Sequence, residues 1–253
     1  MKTPGQVGIP WVERHEALPP PSEAWGPHAP IPGLLAAGDD IHATRLIEAY
    51  RKGVFPWYSP GQPVLWWSPS PRMVLQVSEF RFHRSLRKWV HAGLRTGQLA
   101  IAFNRNFRSV IERCSRVLRH GQSGSWITPE LIDAYTDLHR LGHAHAVETL
   151  WQGEPVGGLY CVNIGTMVFG ESMYSLRPNA SKVALAALVA FCALQGIESI
   201  DCQQETDHLA LMGAKPMPAT DFLAVVQHRV EHKSPTWEFN PQMWQSWDSR
   251  LSV

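Results

Sequence analysis

VGGLYCVNIGTMVFGESMYSLRPNASKVALAALVAFCALQGIESIDCQ, residues 156–203, holds the order of elements on which the fold turns. Val156 to Asn163 and Met167 to Met173 have strand composition, and Ile164, Gly165 and Thr166 between them have the length and chemistry of a tight hairpin. Pro178 stops the second strand, Asn179 is a candidate cap, and Ala180 to Gln195 reads as a helix ended by Gly196. That helix is apolar almost all round from Val183 to Phe191, so it is expected to be buried rather than amphipathic. A third strand, Glu198 to Gln203, puts Asp201 and Gln203 on one face and Cys202 on the other, because strand side chains alternate. Glu171, Asp201 and Gln203 are therefore expected to meet in one cleft.

Strand, hairpin, strand, helix, strand is the order used by CoA-dependent N-acetyltransferases, where a glycine-rich turn at the helix start wraps the pyrophosphate with backbone N–H groups. Here that turn is LRPNASK, 176–182, without glycine, which argues against a CoA grip; Lys182 beside a positive helix end can still meet an anion. GGLY (157–160), GESMYS (170–175), NASK (179–182) and DCQ (201–203), in this order and spacing, resemble the bacterial leucyl/phenylalanyl-tRNA–protein transferases. GLLAAGD (33–39), AYRKGVFPWYSPG (49–61) and LWWSPSPR (65–72) are similar to the same family and extend the resemblance over most of the chain. One departure is Asp39, where the family usually has a second glycine. The resemblance implies an α/β (α+β) protein with a GNAT-like mixed sheet around a buried helix. It divides into an N-terminal arm and small domain, 1–75, and an aminoacyl-transferase domain, 76–253.

Composition bounds these readings. With 253 residues, 44% of them hydrophobic, the chain can bury a sizeable core, and a net charge of +1 leaves any RNA contact to a local patch. No apolar run reaches a membrane span and Met1 to Val12 lacks a signal-peptide core, so a soluble cytoplasmic protein is expected. Cys114, Cys161, Cys192 and Cys202 lack CxxC spacing, which fits reduced thiols rather than disulfides or zinc.

From the N-terminus, a proline-rich stretch of about thirty residues lacks periodicity and reads as an extended arm. A helix follows near Ala43 to Lys52, stopped by Gly53. VFPWYSPGQPVLWWSPSPR, 54–72, is too punctuated for one helix or strand and reads as an aromatic wall. Its aromatics, and Tyr50, are either faces for a splayed base, worth about 1–3 kcal/mol each, or core. FRFHRSLRKW, 80–89, places Arg84, Arg87 and Lys88 on one helical face, either a phosphate-binding surface or a solvated one. Arg105, Arg108, Arg113, Arg116 and Arg119 extend the basic character along a helix expected from Asn106 to Leu118. After a loop at 121–124, Thr128 caps a helix begun by Pro129 and reaching Leu141. His143 and His145 share a strand face, as metal ligands or as structural histidines; Glu148 falls on the other face, and no metal is assigned. Further on, His208 to Met212 reads as helix, Asp221 to Val230 as strand or short helix, and Trp237 to Val253 as a helix or clasp.

The activity the resemblance implies is transfer of leucine, phenylalanine and methionine from aminoacyl-tRNA to proteins beginning with Arg or Lys, marking them for degradation by the N-degron pathway. It implies no cofactor and no membrane partner. Aminolysis of an activated ester needs an unprotonated amine and good positioning. In this scheme Gln203 orients amine and ester, Asp201 fixes Gln203 and relays the proton, and Glu171 holds the basic acceptor. Tyr50, Trp57, Trp126 and Tyr135 hold the terminal adenosine. Leu159, Val168, Met173, Leu185, Leu188 and Ile200 line the pocket for the amino-acid side chain, or are ordinary core. The family often has phenylalanine at the positions of Val168, Leu188 and Cys192, so the lining here is smaller, and it commonly has arginine where Ala219 stands. A cysteine nucleophile at Cys202 is disfavoured because alternation turns it away from Asp201 and Gln203. The rival functions are a CoA-dependent N-acetyltransferase and a non-enzymatic RNA-binding module.

Overall fold

The structure, a computed structural model, describes residues 8–117, 125–240 and 243–244. Near the N-terminus, Trp11–Val12 (β1), Leu34–Gly38 (β2), helix Ala43–Arg51 (α1), Phe55–Pro56 (β3) and Val64–Trp67 (β4) form a four-stranded sheet of order β1-β2-β4-β3 with one helix. His42 caps α1 by accepting the Arg45 N–H at 3.2 Å, and Gly53 at φ 72° turns the chain out of it. From residue 8 onward the proline-rich leader packs against this small sheet. β1 pairs in parallel with β2, Leu18 is buried, and the Arg45 guanidinium donates to the carbonyls of Glu16 (2.7 Å), Glu13 and Arg14 (both 3.0 Å). The aromatic block divides likewise: Phe55 and Trp66 are interior, while Trp57 stays half-buried. Backbone groups that would otherwise be orphaned inside find sheet or guanidinium partners, which is why these stretches are ordered despite their prolines.

The second sheet is built from Arg72–Gln76 (β5), Leu99–Phe103 (β6), Ala144–Trp151 (β7), Glu154–Ile164 (β8), Met167–Ser175 (β9), Ser199–Gln203 (β10) and Lys215–Met217 (β11). Its order is β11-β5-β10-β9-β8-β7-β6. Residues 72–75, which a division after residue 75 leaves with the N-terminal part, thus belong to this sheet through β5. Its helices are Arg84–Arg95 (α2), Phe107–Ser115 (α3), Pro129–Arg140 (α4), Ala180–Leu194 (α5), Asp207–Leu211 (α6) and Ala219–Arg229 (α7). The segment 221–230, open between strand and helix from its composition, is helical in α7. No helix among the described residues is long and apolar enough to cross a membrane.

β6 to β9 run antiparallel, then α5 carries the chain over to β10, which lies parallel to β9. α5 is buried from Val183 to Cys192, and each large apolar side chain so buried contributes roughly 1.5–3 kcal/mol. Its start sits tight on β8: a Cβ on Gly157 would lie 2.5 Å from the Ala180 Cβ, so only glycine lets the helix approach there. Asn179 does not cap α5 with its side chain; it takes φ 71°, and Ser175 Oγ accepts the Ser181 N–H at 3.3 Å instead. Trp237 of the tail stacks on His145 with centroids 4.0 Å apart and donates its indole N–H to Asn163 at 3.1 Å. Trp244 is buried. Trp247, Arg119 and the 121–124 loop lie outside the described residues.

Candidate active site

β9 and β10 are paired only through Val168↔Ile200 and Phe169↔Asp201. Beyond that point each strand carries an extra residue: Glu171 lies between the pairs Gly170↔Cys161 and Ser172↔Tyr160, and Cys202 between Asp201↔Val74 and Gln203↔Met73. Gln203 adopts φ 62°. Such bulges end regular pairing and re-aim side chains. The strict alternation expected for Asp201, Cys202 and Gln203 therefore fails, and Cys202 lines the same cavity as Gln203 instead of turning away.

The cavity at this splay holds about 280 Å³, near the lower end of the ~300–1,000 Å³ of ligand pockets. Leu159, Met173, Leu185, Leu188 and Ile200 line it with apolar surface, Phe55, Trp57 and Trp126 with aromatic rings, and Glu171, Gln203, Thr206 and His208 with polar groups. Val168, expected in the lining, is instead fully buried core on the face that packs against α5.

Glu171 is the centre of a hydrogen-bond cluster. Its Oε1 accepts from Tyr50 Oη (2.6 Å) and Gln203 Nε2 (2.8 Å), and its Oε2 is within hydrogen-bond reach of Tyr135 Oη (3.1 Å). Burial pushes its carboxyl up to about 7; the bonds from Tyr50, Gln203 and Tyr135 oppose the rise and the nearby Asp201 adds to it. Tyr50 and Tyr135 are fully buried, so neither offers a ring face to a base: they hold Glu171. Trp57 and Trp126 do reach the cavity wall.

Asp201 is sealed from the cavity. Its partner is Arg72, whose Nε donates to Oδ1 at 2.8 Å and Nη2 to Oδ2 at 2.6 Å, with both side chains fully buried. Oδ1 also accepts the Gln203 backbone N–H at 2.8 Å. Asp201 thus holds the backbone of Gln203 rather than its amide. Arg72 was missed in the sequence, although a buried carboxylate demands a partner and Arg72 ends the aromatic block without any other assignment. Cys202 Sγ lies 3.7 Å from the Ile200 carbonyl, and burial raises the thiol's pKa, which disfavours a thiolate nucleophile.

Away from the cavity, Arg84, Arg87, Lys88, His91 and Arg95 share one face of α2 along a shallow groove. Arg108, by contrast, is engaged by Glu112 (3.0 Å) and Asp133 (2.8 Å), and Arg113 lies over the Tyr174 ring. His145 pairs with Asn104 (3.1 Å) and the Gly142 carbonyl (3.2 Å), while His143 approaches the Asn163 carbonyl at 3.4 Å. Burial lowers His145 to about 3, which keeps it neutral in the interior.

An apolar slot lies at a splayed parallel strand pair of this α/β fold, walled by a carboxyl and an amide and floored by a buried crossover helix, an arrangement suited to an acyltransferase. The family model described as leucyl/phenylalanyl-tRNA protein transferase matches residues 74–227, and the one for its N-terminal domain matches residues 39–70. A leucyl/phenylalanyl-tRNA–protein transferase of Polaromonas sp. strain JS666 is 51% identical, covering 93% of this chain and 92% of its own. Another, of Cupriavidus metallidurans, is 48% identical over 97% of this chain and 99% of its own. A solved GCN5-related N-acetyltransferase from Kribbella flavida covers 65% of this chain and 57% of its own at a TM-score of 0.33 and 12% identity, too slight a likeness to argue from. The chain belongs to the leucyl/phenylalanyl-tRNA–protein transferase family, and so to the aminoacyltransferases.

Proposed function

We propose that the protein transfers leucine, phenylalanine or methionine from aminoacyl-tRNA to the α-amine of proteins beginning with Arg or Lys, and so marks them in the cytoplasm for degradation by the N-degron pathway. The observation that carries this reading is the meeting, in one cavity, of the Glu171–Gln203 pair with the apolar lining of Leu159, Met173, Leu185, Leu188 and Ile200. A polar wall for an amine and an ester adjoins a slot for an apolar side chain.

The amine nitrogen attacks the ester carbonyl, a C–N bond forms, and the C–O bond to the terminal ribose breaks to leave a hydroxyl. An α-ammonium has a reference pKa of about 7.7–8.0, so part of the amine is available at neutral pH. With its Nε2 held by Glu171, Gln203 has its carbonyl left to accept an N–H of the attacking amine. Asp201 is a positioning residue, acting through the Gln203 backbone. Glu171 receives the basic acceptor, Trp57 and Trp126 offer rings to the terminal adenosine, and Arg84, Arg87 and Lys88 meet tRNA phosphates from α2. Most of the acceleration then comes from positioning, with no covalent intermediate.

The test is incubation with leucyl-tRNA and peptides that differ only in their first residue. Leucine should join Arg- and Lys-initiated peptides and not an Ala-initiated one. Acetylation from acetyl-CoA without leucine transfer would overturn the reading in favour of an acetyltransferase.

A further inference from the structure

Around Glu171 the hydrogen-bond geometry asks for more protons than two phenols supply. Tyr50 Oη and Tyr135 Oη are 2.6 Å apart, Tyr50 Oη is 2.6 Å from Glu171 Oε1, and Tyr135 Oη is 3.1 Å from Glu171 Oε2. Each contact has hydrogen-bond length and each takes one proton, while each phenol has one to give. If Glu171 were ionised, two phenol protons would have to serve three contacts, leaving without a hydrogen either the phenol pair at 2.6 Å or the Tyr135 Oη–Glu171 Oε2 contact at 3.1 Å. A proton on Oε2 closes the circuit. Oε2–H then donates to Tyr135, Tyr135 to Tyr50, and Tyr50 to Oε1, which also keeps its bond from Gln203.

The surroundings favour the same state. Tyr50 stands on α1 and Tyr135 on α4, both fully buried, and burial raises both phenols well above their ordinary range, so neither is the group that ionises. On β10, Asp201 is spent on Arg72 of β5, and Cys202 is a raised thiol. On β8, the Cys161 thiol is likewise raised by burial, and Tyr160 packs edge-on against Tyr135. His208 of α6, lining the same cavity, is lowered by burial and by Lys182. Among the described residues no Lys or Arg is ion-paired with Glu171, so a carboxylate here has no fixed counter-charge.

We propose that Glu171 rests as a neutral acid in a ring shared with Tyr50 and Tyr135, and that a cationic acceptor terminus entering the slot displaces its proton, making recognition of a basic residue a proton-releasing event. The inference rests on the proposed acceptor site at Glu171. The O–H bond of Glu171 breaks, its electron pair stays on the carboxylate facing the incoming cation, and the proton passes to bulk water. Tyr50 and Tyr135 act as positioning residues through Glu171. A neutral first residue brings one cation fewer and is expected to displace less.

The experiment is calorimetry of the full chain with an Arg-initiated peptide, without tRNA, in buffers of different ionisation heat. The difference between wild type and Glu171→Gln cancels any proton exchanged by the peptide's own amine. Glutamine keeps the ring, since its amide donates to Tyr135 and accepts from Tyr50. With the carboxyl at about 7, the wild type should release about half a proton more than the variant near neutral pH, and the excess should vanish at alkaline pH. In parallel, the infrared band of a protonated carboxyl should be present in the resting protein, absent in Glu171→Gln, and bleached by the Arg peptide. Equal proton release in the two proteins with the peptide bound, or no protonated-carboxyl band near neutral pH, overturns the inference and leaves the acceptor site standing. Failure of the peptide to bind at all overturns that site and the inference with it.

Discussion

Arg72 and Asp201 form a bidentate ion pair with both side chains wholly inside the protein, at 2.8 and 2.6 Å. Phe55 and Phe222 lie over the guanidinium with their centroids 4.6 and 4.5 Å from its carbon. One pair therefore ties β3 and α7 to the strands β5 and β10, and through Asp201 Oδ1 it reaches the Gln203 backbone. The small sheet and β10 are joined at this point.

Asp201→Asn leaves the Arg72 charge buried without its counter-ion, and breaking such a pair costs about 3–5 kcal/mol. Denaturant unfolding should show that loss, and aminoacyl transfer should fall with it because the oxygen that anchors the Gln203 backbone no longer sits in a charge-balanced pair with Arg72. An Asn variant of wild-type stability and activity would mean that the pair does neither job.

Gln203→Ala removes a side chain at the cavity without unpairing the ion pair beneath it. Transfer is expected to drop about 10²-fold in kcat, the scale of losing one group aimed at the reacting centre, with little change in the unfolding midpoint. A change confined to the KM for tRNA would assign Gln203 to binding instead.

The raised carboxyl of Glu171 makes stability depend on pH with a definite sign. Between the unfolded value near 4.5 and the folded value of about 7, the native state binds more protons than the unfolded one, so this group's contribution to stability falls as pH rises through that window. Glu171→Gln cannot ionise, and its melting temperature relative to wild type should climb from acid toward pH 8. A constant difference between the two proteins would contradict the shift.

His145 works in the opposite direction. It is neutral in the fold down to about 3, whereas the unfolded side chain protonates below its ordinary 6.5, so stability is lost as pH falls through that range. The loss should be roughly 1–2 kcal/mol by about pH 5, and His145→Phe, which preserves a ring against Trp237, should flatten it in an acid titration of unfolding.

Leu188→Phe should narrow the slot from the α5 side. Competition between leucyl-tRNA and phenylalanyl-tRNA should then shift toward leucine by about 10- to 200-fold, the effect of a methylene or so of crowding in an apolar pocket. Equal loss with both donors would place Leu188 outside the side-chain pocket.

Much of the scaffold was legible in local pattern. The hairpin of β8 and β9, the all-apolar α5 and the short β10 could be read because hydrophobic run length and Gly or Pro punctuation are properties of neighbouring residues. The same pattern misplaces Tyr50 and Tyr135 as base-stacking faces and gives no partner for the extended leader, since a ring's exposure and a segment's partners depend on residues far along the chain.

By itself, then, the sequence determined the order of elements, the burial of α5 and the convergence of Glu171 with Gln203 near one strand end. Only the tertiary structure decided that Asp201 faces Arg72, 129 positions away, that bulges at Glu171 and Cys202 break the alternation, and that two tyrosines from separate helices close on one carboxyl. The reason is physical: periodicity is set by bonds between neighbours, whereas a buried charge or an unpaired proton is settled by whichever groups the folded chain brings within about 3 Å.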